Sequence, residues 1–136
     1  MTETLRRSVD VDGLDHGGQP IPNACRIGDT VWTGGISGID RTTGNVPPAL
    51  SDEIRLLFEN VRAVAHEAGV DVGDIGRVTI FVRQRSGEIS EALNAEWTAM
   101  FPDPASRPAR HLLVQDIHQA LRIQCDFIAV ARQGSQ

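Results

Sequence analysis

SDEIRLLFENVRAVAHEAG, residues 51–69, carries the apolar pattern of an amphipathic helix. Apolar side chains recur every three or four positions, as on a helix with one face against a core: Ile54, Leu57, Phe58, Val61, Val64 and Ala65. Ser51 can cap the first turn, and Gly69 suits the left-handed residue that follows a helix. The stretch therefore predicts one long helix that packs on a core.

Strand patterns precede this helix. Residues 5–11 can form a first strand, and residues 26–35 have the composition of a hairpin with its turn at Gly28-Asp29. The chain turns again around residues 44–48, which include glycine, asparagine and two prolines. The region before the helix is therefore predicted to consist of strands joined by short turns.

A second helix and further strands follow. Residues 78–82 form a strand pattern that is apolar on both faces. Ser86 can cap a helix that ends before Pro102, with the apolar residues Ile89, Leu93, Trp97 and Met100. Residues 109–115 and 120–131 have strand patterns. The order β-β-α-β-α-β-β predicts an α+β fold, a single-layer sheet with both helices on one face.

The sheet face away from the helices is predicted to be partly apolar. In the last strand one face is apolar throughout, whereas the other is polar at first and apolar at its end. Phe81, Ile128 and Val130 would then leave an apolar patch in water, and such patches mark interaction surfaces. We therefore expect an oligomer formed through that face.

The composition is that of one globular domain. Its 136 residues fit a single domain over residues 1–136, because domains commonly have roughly 100–200 residues. The hydrophobic fraction of 40% and the charged fraction of 23% argue against a disordered or disulfide-scaffold protein. No apolar run is long enough to span a membrane, and residues 1–7 lack the apolar core of a signal peptide. We expect a cytoplasmic protein that does not interact with membranes.

Missing residue types exclude several chemistries. All 13 cationic side chains are arginine, and tyrosine is absent. Schiff-base catalysis and P-loops need a lysine, and a phenolic acid or nucleophile needs a tyrosine. The formal charge of −5 argues against a nucleic-acid partner. Cys25 and Cys125 lie far apart and lack zinc-type spacing, so we expect two free thiols.

Two loop segments have compositions that also occur in ligand sites. Residues 34–38, Gly-Gly-Ile-Ser-Gly, follow a strand as a phosphate-binding loop does, but no helix pattern comes directly after them. Their glycines either let a small ligand approach backbone amides or form a bulge, and the sequence leaves both interpretations open. Residues 10–16 are rich in aspartate but lack the spacing of a calcium loop, so we predict no metal site there.

Arg110 lies in a strand that is otherwise suited to burial. A guanidinium in such a place needs an anion. The anion can be Asp126 or Asp116 of the same chain, which would make Arg110 structural. It can also be the carboxylate of a substrate, which matches the planar guanidinium with two parallel hydrogen bonds.

Short motifs occur in a specific order across residues 20–130. They are Ile27-Gly-Asp-Thr-Val-Trp-Thr33, Asp40-Arg-Thr-Thr-Gly-Asn-Val46, Phe58-Glu-Asn-Val61, Gly73-Asp-Ile75, Asn94-Ala-Glu-Trp97, Arg107-Pro-Ala-Arg110 and Gln124-Cys-Asp-Phe-Ile-Ala-Val130. In this order and spacing they resemble the RidA-type reactive intermediate deaminases, also called the YjgF family. The resemblance implies a chorismate-mutase-like fold and a homotrimer with clefts between its subunits.

The resemblance also implies an activity and the residues that perform it. The family hydrolyses enamines and imines such as 2-aminoacrylate to 2-keto acids and ammonia, which requires a small carboxylate substrate and no cofactor. In the family, the arginine that matches Arg110 holds the substrate carboxylate. Backbone groups near the positions of Gly35 and Leu112 hold the reacting end.

The chain departs from the family pattern within the predicted site. Gln124 stands where the family often has a glutamate that holds the attacking water, and glutamine takes no proton at neutral pH. His111 and Asp126 are the candidate substitute bases. The predicted catalytic residues are Arg110 and Gln124, and the predicted substrate-binding residues are Arg110, Gly34, Gly35, Leu112, Ile21, Trp97 and Asp126.

Two other functions stay open at this point. Ile21, Gly34 and Leu112 replace residues that are tyrosine, serine and cysteine in many members. Gln124, Gly34 and Leu112 favour a non-catalytic trimer that binds keto acids or a client protein. A dedicated catabolic deaminase of the same fold is the other alternative. Ribonuclease activity, sometimes ascribed to relatives, is disfavoured by the acidic charge and the missing lysine.

Overall fold

A computed structural model describes residues 5–132 and has two helices and one sheet. The strands are β1 (Arg7–Val9), β2 (Ala24–Ile27), β3 (Thr30–Thr33), β4 (Ile36–Ser37), β5 (Ile75–Val82), β6 (Ala109–Val114) and β7 (Ile123–Val130), and the helices are α1 (Leu50–Glu67) and α2 (Gly87–Met100). The predicted α+β class is confirmed. Residues 1–4 and 133–136 of the predicted domain lie outside the described residues.

The strands form one mixed sheet in the order β1-β2-β3-β7-β5-β6, with β4 also paired to β7. β5 and β6 are parallel and are connected through α2, whereas the other pairs are antiparallel. Four strands precede α1, rather than the two expected in the predicted order. β1 falls within the first strand predicted over residues 5–11, and β2 and β3 form the predicted hairpin with its turn at Gly28-Asp29. β4 was not predicted, because its two residues leave little periodicity to detect.

The two helices begin differently. Ser86 caps α2 as predicted, because its hydroxyl accepts a hydrogen bond from the backbone N–H of Ile89 at 3.0 Å. The helix predicted over residues 51–69 is present as α1, but the prediction that Ser51 caps it is wrong. Ala49 is the N-cap, without a side-chain hydrogen bond, and Ser51 is already helical. Gly69 has φ of 80° just after α1, as the predicted helix stop requires.

Both helices cover the same face of the sheet. Along β7 the residues directed at the helices are buried, namely Ile123, Cys125, Phe127 and Ala129. We call the other side the open face. It carries Trp32 and Val130, which are 40% and 55% exposed, beside the half-buried Phe81 and Ile128. The apolar surface expected there is therefore present.

Two further expectations can be compared with the described chain. Cys25 and Cys125 are free thiols, as predicted, and burial raises the pKa of Cys125 well above its ordinary value. Within residues 5–132, neither helix is long and apolar enough to cross a membrane.

Candidate functional site

Arg110 is held by two neutral side chains of α2. One guanidinium N–H donates to Asn94 Oδ1 at 3.0 Å, and the guanidinium carbon lies 4.9 Å from the centre of the Trp97 ring. Trp97 itself packs edge-on against Phe101, with ring centres 4.8 Å apart. These contacts fix the orientation of the guanidinium through a hydrogen bond and a cation–π contact, and they leave its charge uncompensated.

The position of Arg110 beside α2 is set by the connection from α2 to β6. Arg107 Nε donates to the carbonyl of Phe101 at 2.8 Å, which ties the connecting loop to the end of α2. β6 then pairs in parallel with β5, and Arg110 lies opposite Val78, whose side chain is buried beneath the helices. Arg110 therefore lies on the helix side of an edge strand.

Arg110 is exposed in the described chain, so the expectation of a buried strand is wrong. Within residues 5–132, β6 lies at the edge of the sheet and pairs with β5 alone. Partial burial nevertheless lowers the pKa of Arg110 from its ordinary value, because it removes water from the charged form. The side chain still remains a cation at neutral pH.

The proposed ion pairs of Arg110 with Asp116 and Asp126 are not formed. Asp116 lies 3.8 Å from Arg83. Asp126 is on the open face opposite Thr79, where a hydrogen bond from Thr79 and the charge of Arg77 lower its pKa less than burial raises it. Across residues 5–132, Arg110 makes no ion pair with any carboxylate.

Gln124 lies in a separate cavity on the open face. The cavity has a volume of about 520 Å³ and is lined by the predicted site residues Ile21, Gly35 and Gln124. β4 pairs with β7 so that Ser37 lies opposite Gln124. A Cβ atom on Gly35 would lie 2.0 Å from Gln124 Nε2, so a larger residue at position 35 would displace the Gln124 side chain from this conformation. Gly35 therefore lines the cavity, as the ligand-approach interpretation of the glycines expects, and it also packs against Gln124.

Sequence reasoning missed the polar side of this cavity. His16 lines it, and its Nε2 lies 3.4 Å from Nδ2 of Asn23, which is 5% exposed. The Asn23 amide is oriented by backbone contacts, because Oδ1 accepts from Val11 N at 2.7 Å and Nδ2 donates to the carbonyl of Leu14. The Asn23 Nδ2 group can only donate, so Nε2 of His16 is the acceptor in this contact. The aspartates around His16 suggested only an acidic turn.

The predicted site residues fall into two groups that one chain does not bring together. Arg110, Trp97 and Leu112 lie on the helix side at the β6 edge, where Leu112 is opposite the buried Ile80. Gln124 is on the open face, two strands away across β5. The remaining predicted residues are near Gln124: Ile21 and Gly35 line its cavity, Gly34 precedes Gly35, and Asp126 is two residues further along β7. We call the two groups the arginine edge and the glutamine cavity.

The chain is similar to known proteins over most of its length. The family model described as endoribonuclease L-PSP matches residues 19–131. The 2-iminobutanoate/2-iminopropanoate deaminase of Salmonella typhimurium is 33% identical over 115 residues, which cover 83% of this chain and 88% of that protein. The protein of the same name from Escherichia coli is 30% identical over the same shares of the two chains.

Solved structures show the same fold. The crystal structure of the YjgF gene product of Escherichia coli matches with a TM-score of 0.80 at 26% identity, covering 93% of this chain and 99% of that one. The likeness supports the chorismate-mutase-like α+β fold that the motifs implied. Because the family model spans residues 19–131, this chain belongs to the endoribonuclease L-PSP family, which includes the RidA and YjgF proteins.

Proposed function

We propose that this protein is an imine and enamine deaminase, which hydrolyses 2-imino acids to 2-keto acids and ammonia. It acts as a cytoplasmic homotrimer built from a single domain over residues 1–136, on a small carboxylate substrate rather than on nucleic acid or membranes, and it requires no cofactor. The relatives named 2-iminobutanoate/2-iminopropanoate deaminase support the reaction class.

The observation that carries the proposal is the set of partners around Arg110. Asn94 and Trp97 orient the guanidinium but contribute no negative charge. An oriented arginine without a carboxylate partner is suited to bind a planar carboxylate with two charge-assisted hydrogen bonds. Every 2-imino acid carries such a group next to the reacting carbon.

The second half of the site comes from a neighbouring subunit. Arg110 and Gln124 lie on opposite faces of one chain, so they can contact the same small molecule only across an interface. The open face around the glutamine cavity carries the exposed Trp32 and Val130, which association would cover. A cyclic trimer repeats this heterologous contact and forms one cleft at each subunit boundary.

The reaction needs little more than positioning. Arg110 of one subunit holds the carboxylate, and Gln124 of its neighbour holds a water beside the imine carbon. As the water oxygen bonds to that carbon, the C=N electron pair moves to nitrogen and one proton passes from oxygen to nitrogen. A second proton transfer in the same direction restores a carbonyl as the C–N bond breaks, which releases the 2-keto acid and ammonia.

The activity is tested with 2-aminoacrylate generated in the assay by a serine dehydratase. We expect the protein to accelerate the disappearance of the intermediate. Decay that is equally fast with and without protein would contradict the proposal. If a 2-keto acid then raised the melting temperature without any turnover, a binding protein would be the better description.

The shared cleft is tested by mixing two inactive variants. Arg110→Ala removes the arginine edge, and Gly35→Leu blocks the glutamine cavity because residue 35 contacts Gln124. When both variants are co-expressed with different tags and the mixed trimers are purified, one of the three clefts in each mixed trimer combines two intact halves. We expect activity to return in that fraction. Mixed trimers that stay inactive would place both halves in one subunit.

A further inference from the structure

We propose that the substrate side chain binds in the glutamine cavity and that this chain prefers bulky apolar 2-imino acids over 2-iminopropanoate. The preferred substrates are imines of the size derived from leucine and phenylalanine. This inference rests on the proposed function, and it goes beyond the small substrates in the relatives' names.

The glutamine cavity is large for a small imine. The cavity holds about 520 Å³, and cavities of roughly 300–1,000 Å³ suit molecules much larger than an amino acid fragment. If each non-hydrogen atom occupies at most the share of a liquid water, ~30 Å³, then 2-iminopropanoate fills only about 180 Å³. The imine of phenylalanine fills about 360 Å³ on the same basis. The larger imine therefore leaves less of the cavity unfilled.

The residues that line the glutamine cavity are largely apolar. Much of the lining is aliphatic and comes from separate segments of one chain, namely Leu14, Ile21, Ile36, Ile39, Val46 and Leu121. No arginine of the described chain lines the cavity, and Asp15 already accepts a hydrogen bond from the N–H of Gly17 at 3.0 Å. His16 and His118 are the other ionisable side chains of the lining. An apolar side chain therefore has more partners here than a charged one.

Ile21 lies at the accessible side of the glutamine cavity. Its side chain lines the cavity but is 55% exposed in the described chain, so it has room for a substrate to pack against it. Its backbone N–H donates to the carbonyl of Gln19 at 2.8 Å, which fixes this part of the loop. A larger side chain at residue 21 would fill the cavity without disturbing the core. Each methylene of substrate buried against such a wall tightens binding about fourfold.

The test compares imines generated by an L-amino acid oxidase from alanine, leucine and phenylalanine. Semicarbazide traps the free imine, so deaminase activity is measured as the decrease in semicarbazone formation. We expect kcat/KM to be at least about tenfold higher for the two larger imines than for 2-iminopropanoate. Ile21→Trp should lower kcat/KM for the two larger imines more than for 2-iminopropanoate, so that the preference disappears.

Leu5→Trp is the matched control. Leu5 is 76% exposed and lies outside the cavity, so the same added ring there should leave the order of substrates unchanged. Failure to accelerate any imine would reject the proposed function itself. Faster hydrolysis of 2-iminopropanoate than of the larger imines, or an unchanged ratio in Ile21→Trp, would overturn only the substrate preference.

Discussion

Arg122 and Arg110 both connect the sheet to a helix, but their partners differ in charge. Arg122, just before β7, donates from Nε to Glu53 Oε1 of α1 at 2.6 Å, and its backbone N–H donates to Oε2 at 2.9 Å. Arg110, on β6, donates to the neutral amide of Asn94 on α2 at 3.0 Å. Arg122 therefore compensates a carboxylate, whereas Arg110 keeps its charge available.

The comparison shows how residues of one type acquire different roles. Glu53 is fully buried, and a buried carboxylate is stable only with a cation and further hydrogen bonds, so Arg122 is required by the fold. Asn94 and Trp97 impose no such requirement on Arg110. Loss of the Arg110 charge should therefore change the free energy of unfolding less than it changes the activity.

Removing the Arg110 side chain is expected to have the largest effect. Arg110→Ala should lower kcat/KM for imine hydrolysis at least about 100-fold, because two charge-assisted hydrogen bonds at about 1.5–3 kcal/mol each are lost. The free energy of unfolding should change by about 1 kcal/mol or less, since Arg110 is exposed. Steady-state kinetics and thermal unfolding measure the two effects separately.

Two control variants distinguish charge from geometry. Arg110→Lys keeps a point charge but not the planar pair of donors, so it should recover only part of the activity. Arg62→Ala removes another exposed arginine, on α1, and should leave kcat/KM unchanged. An Arg110→Ala variant that unfolded easily but hydrolysed imines at the normal rate would reverse the roles given to Arg110 and Arg122.

Removing the Arg122 side chain is expected to affect stability instead. Arg122→Ala leaves the buried Glu53 carboxylate without its cation, which should cost about 3 kcal/mol of unfolding free energy. Arg55→Ala is the matched control, because its ion pairs with Asp52 and Glu59 join side chains that are all about half-exposed and should contribute far less to stability. Urea denaturation measures both. Equal losses in the two variants would contradict the structural role of Arg122.

The sequence predicted most of the fold because its signals are local. The periodicity of residues 51–69 and the cap at Ser86 identify both helices. The turn at Gly28-Asp29 identifies the hairpin, since Gly28 has φ of 60°, as the first turn residue of a type II′ hairpin requires. The start of α1 was misplaced because Ala49 provides no side-chain signal for a helix cap.

The site was less predictable because its halves depend on long-range pairing. Gly35 and Gln124 are brought into contact by the β4–β7 register, which no local pattern encodes. The burial expected for Arg110 failed because strand composition does not show whether a strand lies at a sheet edge. His16 was missed because no sequence pattern links it to Asn23, the residue that contacts its ring.

A change of one residue beside Arg110 tests the importance of its neutral partner. Asn94→Asp places a carboxylate where Asn94 now accepts the Arg110 hydrogen bond, so the guanidinium gains an internal anion. The substrate carboxylate must then compete with it, and KM should rise about tenfold with little change in kcat. Asn94→Ala is the control, since it removes the hydrogen bond without adding charge. A larger increase in KM for the alanine variant would show that orientation matters more than charge.

The smallest expected effect concerns Asp126, the other anion that the sequence offered to Arg110. Burial raises the pKa of Asp126 above its ordinary value despite the Arg77 charge and the Thr79 hydrogen bond. A folded-state pKa above the unfolded one means that this group stabilises the fold at low pH and that the contribution is lost as pH rises through the folded pKa. Asp126→Asn should therefore raise the melting temperature at pH 7. The gain should vanish near pH 3, below the ordinary aspartate pKa of about 3.9.

Asp126→Asn should raise the melting temperature at pH 7 by the same amount when Arg110→Ala is also present. The two effects should add, because Arg110 and Asp126 form no ion pair and independent sites have additive effects. The measurement is a double-mutant cycle on melting temperatures at both pH values. A gain that depended on Arg110 would show that the two charges interact in the assembled protein. Arg110 would then resemble Arg122, with a carboxylate of its own, and the distinction between the two arginines would fail.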